Sequence, residues 1–337
     1  MMRRFDRVMV TGGAGYVGNV LTPALLDDGY EVTVYDLCLF DKETLPLDHP
    51  RLTLVEADIR DTERFREAVA GHDAVLHLAC ISNDPSFELD EDLSKTINFD
   101  CFEPLVVTAK EAGVRRFVYC SSSSVYGVSD QPDVTEEHPL VPLTLYNKFK
   151  GLCEPILFSH RSPGFECVTL RPATVCGYSP RCRLDLSVNI LTNHAVNRRH
   201  IDVFGGDQLR PNLHIDDMAD AYRSFLEAPG GLVDGEVFNV GYENLTIRGI
   251  AELVKTVVEQ ELPAGGPIEI AQVESDDLRS YHINSGKIRR VLGFEPKRSV
   301  EDAVRSLCRA FADGRLPTSL DDDRYFNVRT MKARAIR

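Results

Sequence analysis

Short apolar runs alternate with amphipathic stretches through the first half of this 337-residue chain. The runs predict β-strands. The stretches between them, with apolar positions three and four residues apart, predict helices. Strands that alternate with helices pair in parallel, because each helix carries the chain back to the starting end of the sheet. We therefore expect an α/β fold built on a Rossmann-like, doubly wound parallel sheet. The predicted strands are 8–11, 31–35, 52–55, 74–78, 116–120 and 167–170.

The alternation stops after residue 174. Loops that carry Gly, Pro and Arg follow, with shorter strands and helices, and this change predicts a smaller second lobe. The apolar run Phe238–Gly241 predicts a strand that returns to the first sheet. We therefore expect a first domain over 1–174, with a returning segment near 212–242, and a smaller C-terminal lobe over 175–337 that is interleaved with it.

The composition argues against several kinds of partner. A net charge of −14 opposes binding to nucleic acid or to an anionic membrane surface. No apolar run approaches the roughly 18 residues of a membrane span, and Met1–Asp6 lacks the apolar core of a signal peptide. The nine cysteines are scattered, without metal-ligand spacing. We expect reduced thiols, no metal site and a cytoplasmic location.

A glycine-rich turn joins the first predicted strand to the first helix. Gly12, Gly15 and Gly18 follow one another at intervals of three residues. Glycine permits a tight turn and lets a pyrophosphate approach the N–H groups at a helix N-terminus. A purely structural turn would also need glycines, so the residues that follow decide between the two interpretations.

Asp36 ends the second predicted strand and favours the nucleotide. A carboxylate at this point can accept hydrogen bonds from the ribose hydroxyls of adenosine, and it repels a 2′-phosphate. The next residues, Leu37 and Cys38, offer no cation to such a phosphate. The sequence therefore predicts that the chain binds NAD in preference to NADP.

A tyrosine and a lysine four residues apart, Tyr146 and Lys150, supply candidate acid–base chemistry. Four residues place both side chains on one helix face. An ammonium beside a phenol lowers the phenol's pKa toward neutrality and makes it a general base or acid. The serine-rich strand end 121–124 offers a hydroxyl for the same substrate oxygen. A tyrosine and a lysine at this spacing could equally lie on an ordinary surface helix. The glycine turn and Asp36 that precede them favour a catalytic role.

In combination, these motifs resemble the extended short-chain dehydrogenase/reductases, and among them the nucleotide-sugar epimerases and dehydratases of the UDP-galactose 4-epimerase type. The likeness covers nearly the whole chain. It rests on Thr11–Gly18, Asp36, Asp58–Asp61, His77–Ala79, Ser121–Ser122, Val125–Gly127, Tyr146, Lys150 and Leu170–Pro172.

The resemblance implies roles for residues on the cofactor side. In this family the Asp-Ile pair after the third strand meets the adenine, which implicates Asp58 and Ile59. The catalytic hydroxyl lies four residues before the tyrosine of Val-Tyr-Gly, which selects Ser122. The implied catalytic residues are Ser122, Tyr146 and Lys150. The implied NAD-binding residues are Gly12, Gly15, Tyr16, Val17, Asp36, Asp58, Ile59, Leu78, Ala79, Tyr146 and Lys150.

The resemblance also implies a binding site for a nucleotide-diphosphate sugar. The stretch 201–217 resembles the family's nucleotide clamp, with Val203 and Phe204 near the base and Arg210 on the diphosphate. Arg279 is expected as a second phosphate-facing arginine. Ordinary surface ion pairs are the alternative for both arginines.

Three further residues are expected on the sugar side of the site. Ser82 and Asn83 follow His77–Ala79 and are expected to face the sugar. A surface turn capped by Asn83 and Asp84 is the alternative. Thr174 stands where the family has asparagine, and the loop 178–185 is expected to shape the sugar pocket.

Departures from the family pattern narrow the reaction. The 4,6-dehydratases carry an Asp-Glu pair directly after the catalytic hydroxyl residue, where this chain has Ser123 and Ser124. Serine cannot take up a proton near neutral pH. The resemblance therefore implies a 4-epimerase that works through a transient 4-keto sugar.

Several alternatives to the epimerase stay open. A 4-ketoreductase would use the same catalytic residues, and a dehydratase could use proton carriers drawn from Cys80 or Cys176. A non-enzymatic NAD sensor is disfavoured because it has no use for the three catalytic residues. The family further implies a homodimer, paired through helices that begin near Asn98 and Asn147.

Overall fold

The computed structural model describes residues 4–274 and 280–334. Within them, seven strands form one parallel sheet. The strands are β1 (Arg7–Thr11), β2 (Glu31–Asp36), β3 (Leu52–Glu56), β4 (Ala74–His77), β5 (Arg116–Cys120), β6 (Glu166–Pro172) and β10 (Glu236–Val240). Their order across the sheet is β10-β6-β5-β4-β1-β2-β3, and the expected doubly wound α/β fold is confirmed.

The central strands are apolar on both faces because helices cover both sides of the sheet. Val10 of β1 lies in register with Val34 on one side and Leu76 on the other, and all three are buried. The helices around this sheet are α1 (Gly18–Asp27), α2 (Thr62–Val69), α3 (Asp84–Phe87), α4 (Glu91–Lys95), α5 (Phe102–Glu111), α6 (Leu145–Ser159), α8 (Ile215–Glu227), α9 (Gly230–Val233) and α11 (Gly286–Leu292).

The chain leaves the sheet after β6 and comes back to it with β10, which pairs with β6 in parallel. Phe238 lies opposite Leu170 in this pairing, and both side chains are buried. Within the segment 212–242, α8 packs on α1 and β10 joins the main sheet. The first residues of this segment are the end of a strand that belongs to a separate sheet.

The second lobe has two small sheets in its described part. One is three-stranded, with the order β11-β9-β7, and the other pairs β12 with β8. Apolar faces of three helices pack together beside them. The elements are β7 (Thr174–Cys176), β8 (His200–Phe204), β9 (Leu209–His214), β11 (Glu243–Thr246), β12 (Glu269–Val273), α7 (Ser187–Arg198), α10 (Ile247–Glu261) and α12 (Val300–Ala312).

The C-terminal segment returns across the first lobe. It forms the helix α13 (Asn327–Ala333), which contacts α3. Beyond α13, Arg334 Nη1 donates a hydrogen bond to the carbonyl of Leu39 at 2.6 Å, next to the end of β2. The last described residues therefore lie beside the carboxyl edge of the main sheet, where ligands bind in folds of this type.

Two further features bear on the expectations. None of the helices in residues 4–274 and 280–334 combines the length and the apolar character that crossing a bilayer requires. All nine cysteines lie in this part of the chain and carry free thiols.

Candidate functional site

A cavity of about 450 Å³ opens at the carboxyl ends of the main-sheet strands and extends to the second lobe. Its wall contains most of the residues that the sequence analysis singled out, although they are dispersed along the chain. Those lining it are Gly12, Gly15, Tyr16, Val17, Asp36, Asp58, Ile59, Leu78, Ala79, Ser82, Asn83, Ser122, Tyr146, Lys150, Thr174 and Arg210.

The glycine turn lies against the backbone of the neighbouring strand end. Gly12 has a φ of +74°, and a Cβ at this position would lie 2.6 Å from the amide nitrogen of Ala79. Only glycine fits here without displacing that backbone. The turn leads into the N-terminus of α1, whose free N–H groups suit a diphosphate. The glycine turn and the N-terminus of α1 therefore fit a dinucleotide.

Asp36 lies at the end of β2, beside this turn. Its carboxylate accepts hydrogen bonds from the backbone N–H of Ala14 at 2.9 Å and of Cys38 at 2.7 Å. Burial raises the pKa of Asp36, while these hydrogen bonds lower it, and the net direction is upward. The backbone fixes the carboxylate against the cavity, in the place where a ribose could donate to its remaining lone pairs.

Asp58 and Ile59 line the same end of the cavity. Arg60 binds both carboxylate oxygens of Asp58, with Nη2 at 2.6 Å from Oδ2. Burial raises the pKa of Asp58, the hydrogen bonds from Arg60 lower it, and the balance lies below the ordinary value. Arg60 thus holds Asp58 ionised and fixes its orientation.

Tyr146 and Lys150 lie on one face of α6, as the spacing predicts. Lys150 Nζ is 6.0 Å from the centre of the Tyr146 ring and donates to the carbonyl of Cys120 at 2.7 Å. Tyr146 is the second residue of the helix, two positions after its N-cap residue, Thr144. The two side chains therefore meet in the cavity beside the end of β5.

The expectation that the pKa of Tyr146 falls toward neutrality is wrong in its net direction. The pKa lies above the ordinary value, not near neutrality. Burial of the hydroxyl is the largest cause of the rise, and Cys80, Cys120 and Asp84 add to it. Lys150 lowers the pKa, as expected, but its effect is smaller than that of burial.

Two residues that the sequence analysis did not select form a chain of hydrogen bonds with Ser122. Ser122 Oγ lies 2.6 Å from Ser124 Oγ, and Ser124 Oγ bonds in turn to Asn147 Oδ1. All three line the cavity. Asn147 follows Tyr146 directly, and its buried Nδ2 has no hydrogen-bond partner within the described residues. No spacing rule links residue 124 to residue 147, so the sequence carried no signal for this contact.

The residues expected around the sugar have mixed positions. Ser82 Oγ accepts hydrogen bonds from Arg183 Nη1 at 3.1 Å and from Asn327 Nδ2 at 3.0 Å. Asn83 lines the cavity and also caps α3, accepting from the backbone N–H of Ser86 at 3.0 Å. Lining the cavity and capping the helix are therefore compatible for Asn83. Thr174 lines the wall formed by β7.

The expected nucleotide clamp is only partly assembled at the cavity. Arg210 lines it, with its guanidinium 5.3 Å from the centre of the Tyr281 ring. Val203 lies instead in the core of the second lobe, and the side chain of Phe204 is 57% exposed. Neither of these two side chains lines the cavity. Arg279 lies outside the described residues.

Two arginines of the loop 178–185 enter the cavity wall, together with Asn327 and Met331 from the C-terminal segment. Arg183 pairs with Asp185, Nε to Oδ1 at 2.9 Å. The sequence analysis placed the loop at the pocket without assigning these side chains. Asn327 lies so far along the chain that no motif pointed to it.

The possible proton carriers differ from those expected. Cys80 lines the cavity, but Cys176 is buried with its Sγ 3.5 Å from the carbonyl of Leu213. Asp84, considered above only as a cap, also lines the cavity and accepts a hydrogen bond from Thr144 Oγ1 at 2.6 Å.

Comparisons with known proteins agree with this geometry. Residues 8–241 match the model of the NAD dependent epimerase/dehydratase family. The chain is 28% identical to a UDP-glucose 4-epimerase of Azospirillum brasilense over 327 residues, covering 88% of this chain and 89% of the relative. It is 27% identical over 328 residues to a dTDP-glucose 4,6-dehydratase of Streptomyces niveus, covering 92% and 94%.

A solved structure shows the same fold. The UDP-glucose 4-epimerase of Thermotoga maritima, determined with UDP-glucose, superposes with a TM-score of 0.80 at 25% identity. The match covers 91% of this chain and 99% of that one.

Proposed function

Because the chain belongs to the NAD-dependent epimerase/dehydratase family, we propose that it is a nucleotide-sugar 4-epimerase that keeps NAD bound through each turnover. The observation that carries the proposal is the meeting of Tyr146, Lys150 and Ser122 in one cavity with the glycine turn and Asp36. These groups can remove and restore a proton at one hydroxyl of a substrate held beside the cofactor.

Tyr146 is the general base in this proposal. Its phenolate takes the proton from the C4 hydroxyl of the sugar, and Ser122 orients that oxygen by a hydrogen bond. Lys150 lowers the pKa of Tyr146. When bound, NAD would supply the acceptor and donor for the C4 hydride, and its oxidised form would add positive charge to the cavity. Inversion at C4 requires that the 4-keto sugar turn in the pocket before Tyr146 gives its proton back.

The positions beside Ser122 favour epimerisation over dehydration. Ser123 and Ser124 stand where the dehydratases of the family carry an acid pair, and Ser124 is engaged with Ser122 and Asn147. A dehydratase must also move protons at C5 and C6, which hydroxyls of ordinary pKa cannot do near neutral pH.

Dehydration is the second candidate, and one observation favours it. Asp84 brings a carboxylate into the same cavity, and Cys80 brings a thiol. A dehydratase built on these groups would release water from the sugar, whereas an epimerase leaves its mass unchanged.

The substrate class in this proposal is a nucleoside-diphosphate hexose. Arg210 lines the cavity on the side of the second lobe and carries a planar fork of donors suited to a diphosphate. The relatives and the solved structure named above act on sugars linked to UDP or dTDP, which supports this class.

Pairing of two chains is part of the proposal. The outward face of α6 exposes Leu145 and Leu152, and Leu143 is exposed just before the helix. An apolar helix face in water favours association, and a homodimer through α5 and α6 would cover it. Light scattering at working concentrations tests this point, and a monomer there contradicts it.

The free thiols support a reducing compartment, the cytoplasm.

The deciding experiment has two parts. The purified protein is denatured and the released nucleotide identified, and the protein is then incubated with UDP- and dTDP-hexoses without added cofactor. We expect near-stoichiometric NAD and products of unchanged mass inverted at C4. A product lighter by one water supports the dehydratase. No conversion of these sugars, together with reduction of a 4-keto sugar nucleotide by added NADH or NADPH in a separate assay, supports the ketoreductase. Intact protein that converts none of these sugars contradicts the proposal.

A further inference from the structure

Arg181 is a buried cation with unused hydrogen-bond donors in the wall of the cavity. The residue is 3% exposed, and its Nη2 donates to Asn327 Oδ1 at 2.6 Å. Its Nε and Nη1 are buried and have no hydrogen-bond partner among residues 4–274 and 280–334. A buried donor without an acceptor is destabilising, and more so when it is charged. A ligand with acceptor oxygens would remove that cost.

The carboxylates nearest to Arg181 are already engaged. Asp185 forms two hydrogen bonds with Arg183, and Asp36 accepts from two backbone N–H groups. Within the described residues, Arg181 forms no ion pair within 4.0 Å. Burial and the neighbouring Arg183 lower the pKa of Arg181 to about 9, so the side chain is still charged at neutral pH.

The position of Arg181 relates it to the path of a dinucleotide. Its guanidinium lies 3.6 Å from the centre of the Phe40 ring, and Asp36 is among the charges that act on it. Two residues earlier, Ser179 Oγ donates to the carbonyl of Tyr16 at 2.8 Å, which fixes the loop over the glycine turn. Arg181 therefore lines the same cavity as Asp36 and belongs to a loop that is held against the glycine turn.

We propose that Arg181 binds the diphosphate of NAD, in addition to the backbone N–H groups of the glycine turn. Arginine suits this role because its rigid fork meets two phosphate oxygens at once and keeps its charge. Asn327 positions the guanidinium and ties the C-terminal segment to the bound cofactor. The inference concerns the cofactor alone, and it holds whichever sugar and reaction the site serves.

The test compares ligands with and without the diphosphate. Wild type and Arg181→Gln are first stripped of bound nucleotide, which is verified by the absence of released NAD on denaturation, and are then titrated calorimetrically with NAD, ADP and adenosine. We expect the variant to bind NAD and ADP about 10- to 100-fold more weakly, as the loss of charged hydrogen bonds implies. Its affinity for adenosine, which has no phosphate, stays within about twofold. Equal losses for all three ligands, or no loss, overturn the proposal.

Two further variants separate binding from folding. Arg334→Gln removes an arginine of the same C-terminal segment that contacts the carbonyls of Leu39 and Phe40, and all three affinities are expected to stay at the wild-type level. Arg181→Lys keeps the charge and most of the volume, so it serves if Arg181→Gln does not fold. It is expected to lose about tenfold for ADP and nothing for adenosine, and a loss common to both overturns the proposal.

Discussion

The ammonium nitrogen of Lys150 lies 6.0 Å from the centre of the Tyr146 ring, one helical turn away on α6. The pair faces a cavity that also contains the glycine turn and Asp36. Burial raises the pKa of Tyr146 while Lys150 lowers it, so the base strength of the phenol depends on two opposed effects. The first two predictions follow from this arrangement.

Tyr146→Phe is expected to abolish turnover and leave the NAD content unchanged. The substitution removes the hydroxyl that carries the proton and keeps the ring that packs near Phe87. A general base contributes about 10²- to 10⁴-fold to rate. Turnover and bound NAD are measured on the same preparation. Tyr242→Phe, at a tyrosine that is 49% exposed, is the control expected to keep full activity. Full activity in Tyr146→Phe would refute the assignment.

Lys150→Met is expected to displace the pH profile of kcat to higher pH. Removing a positive charge disfavours the phenolate, so the pKa of Tyr146 rises and less base is present at neutral pH. Each unit of rise lowers the rate at pH 7 about tenfold. The profile is measured between pH 6 and pH 10. A profile with an unchanged ascending limb would show that Lys150 does not act on Tyr146.

Ser122→Ala is expected to lower kcat, whereas Ser121→Ala is expected to lower the stability of the fold. Ser122 lines the cavity, and losing a donor to the reacting oxygen costs about 10²-fold in kcat. Ser121 Oγ donates to the buried carboxylate of Glu154 at 2.6 Å. Ser121→Ala should therefore keep kcat and lose about 1–3 kcal/mol of unfolding free energy. Steady-state kinetics and urea denaturation of both variants check this, and the reverse pattern would reassign the catalytic hydroxyl.

Gly12→Ala is expected to eliminate NAD binding, whereas Gly113→Ala only destabilises the fold. Both glycines have positive φ, +74° and +86°, which costs an alanine about 1–2 kcal/mol. A Cβ on Gly113 meets nothing within 4 Å, but one on Gly12 meets the backbone of Ala79 at 2.6 Å. NAD content and thermal unfolding are measured for both. Equal NAD content in the two variants would contradict the close approach of the Ala79 backbone to Gly12.

His77→Gln is expected to reduce the acid sensitivity of the fold. Burial, with a smaller effect of Lys150, lowers the pKa of His77 to about 3 from an ordinary value of 6.5. Between these values the unfolded chain binds a proton that the folded chain does not. The contribution of neutral His77 to the free energy of unfolding is therefore complete above pH 6.5 and is lost as the pH falls. At pH 5 the loss is about 2 kcal/mol.

Urea denaturation at pH 7.5 and pH 5 tests the role of His77. The difference in unfolding free energy between the two pH values should be about 2 kcal/mol smaller in the variant. The same difference in both proteins would exclude His77 as the source.

The features that the sequence predicts well are those fixed by short spacing. The glycine turn, Asp36 at the end of β2 and the pair Tyr146 and Lys150 each depend on a strand end or a helical turn, so local pattern places them in the cavity. The parallel sheet follows for the same reason, because alternating strands and helices allow few arrangements.

The remaining features depend on packing between distant segments. Arg181 meets Asn327 across 146 residues, and no periodicity connects them. Val203 is expected near the base, but it lies in the core that the second lobe forms with α7, α10 and α12. The raised pKa of Tyr146 likewise follows from burial by the whole fold. A four-residue spacing carries no information about that burial.

The late return of β10 also affects how this protein is made. β6 is complete at residue 172, yet its outer edge is covered only when residues 236–240 pair with it. On the ribosome, that edge therefore exposes its N–H and C=O groups while the intervening chain is synthesised, and a bare edge can recruit strands from other molecules. Slowing translation between residues 172 and 240 is expected to increase aggregation more than slowing it after residue 240.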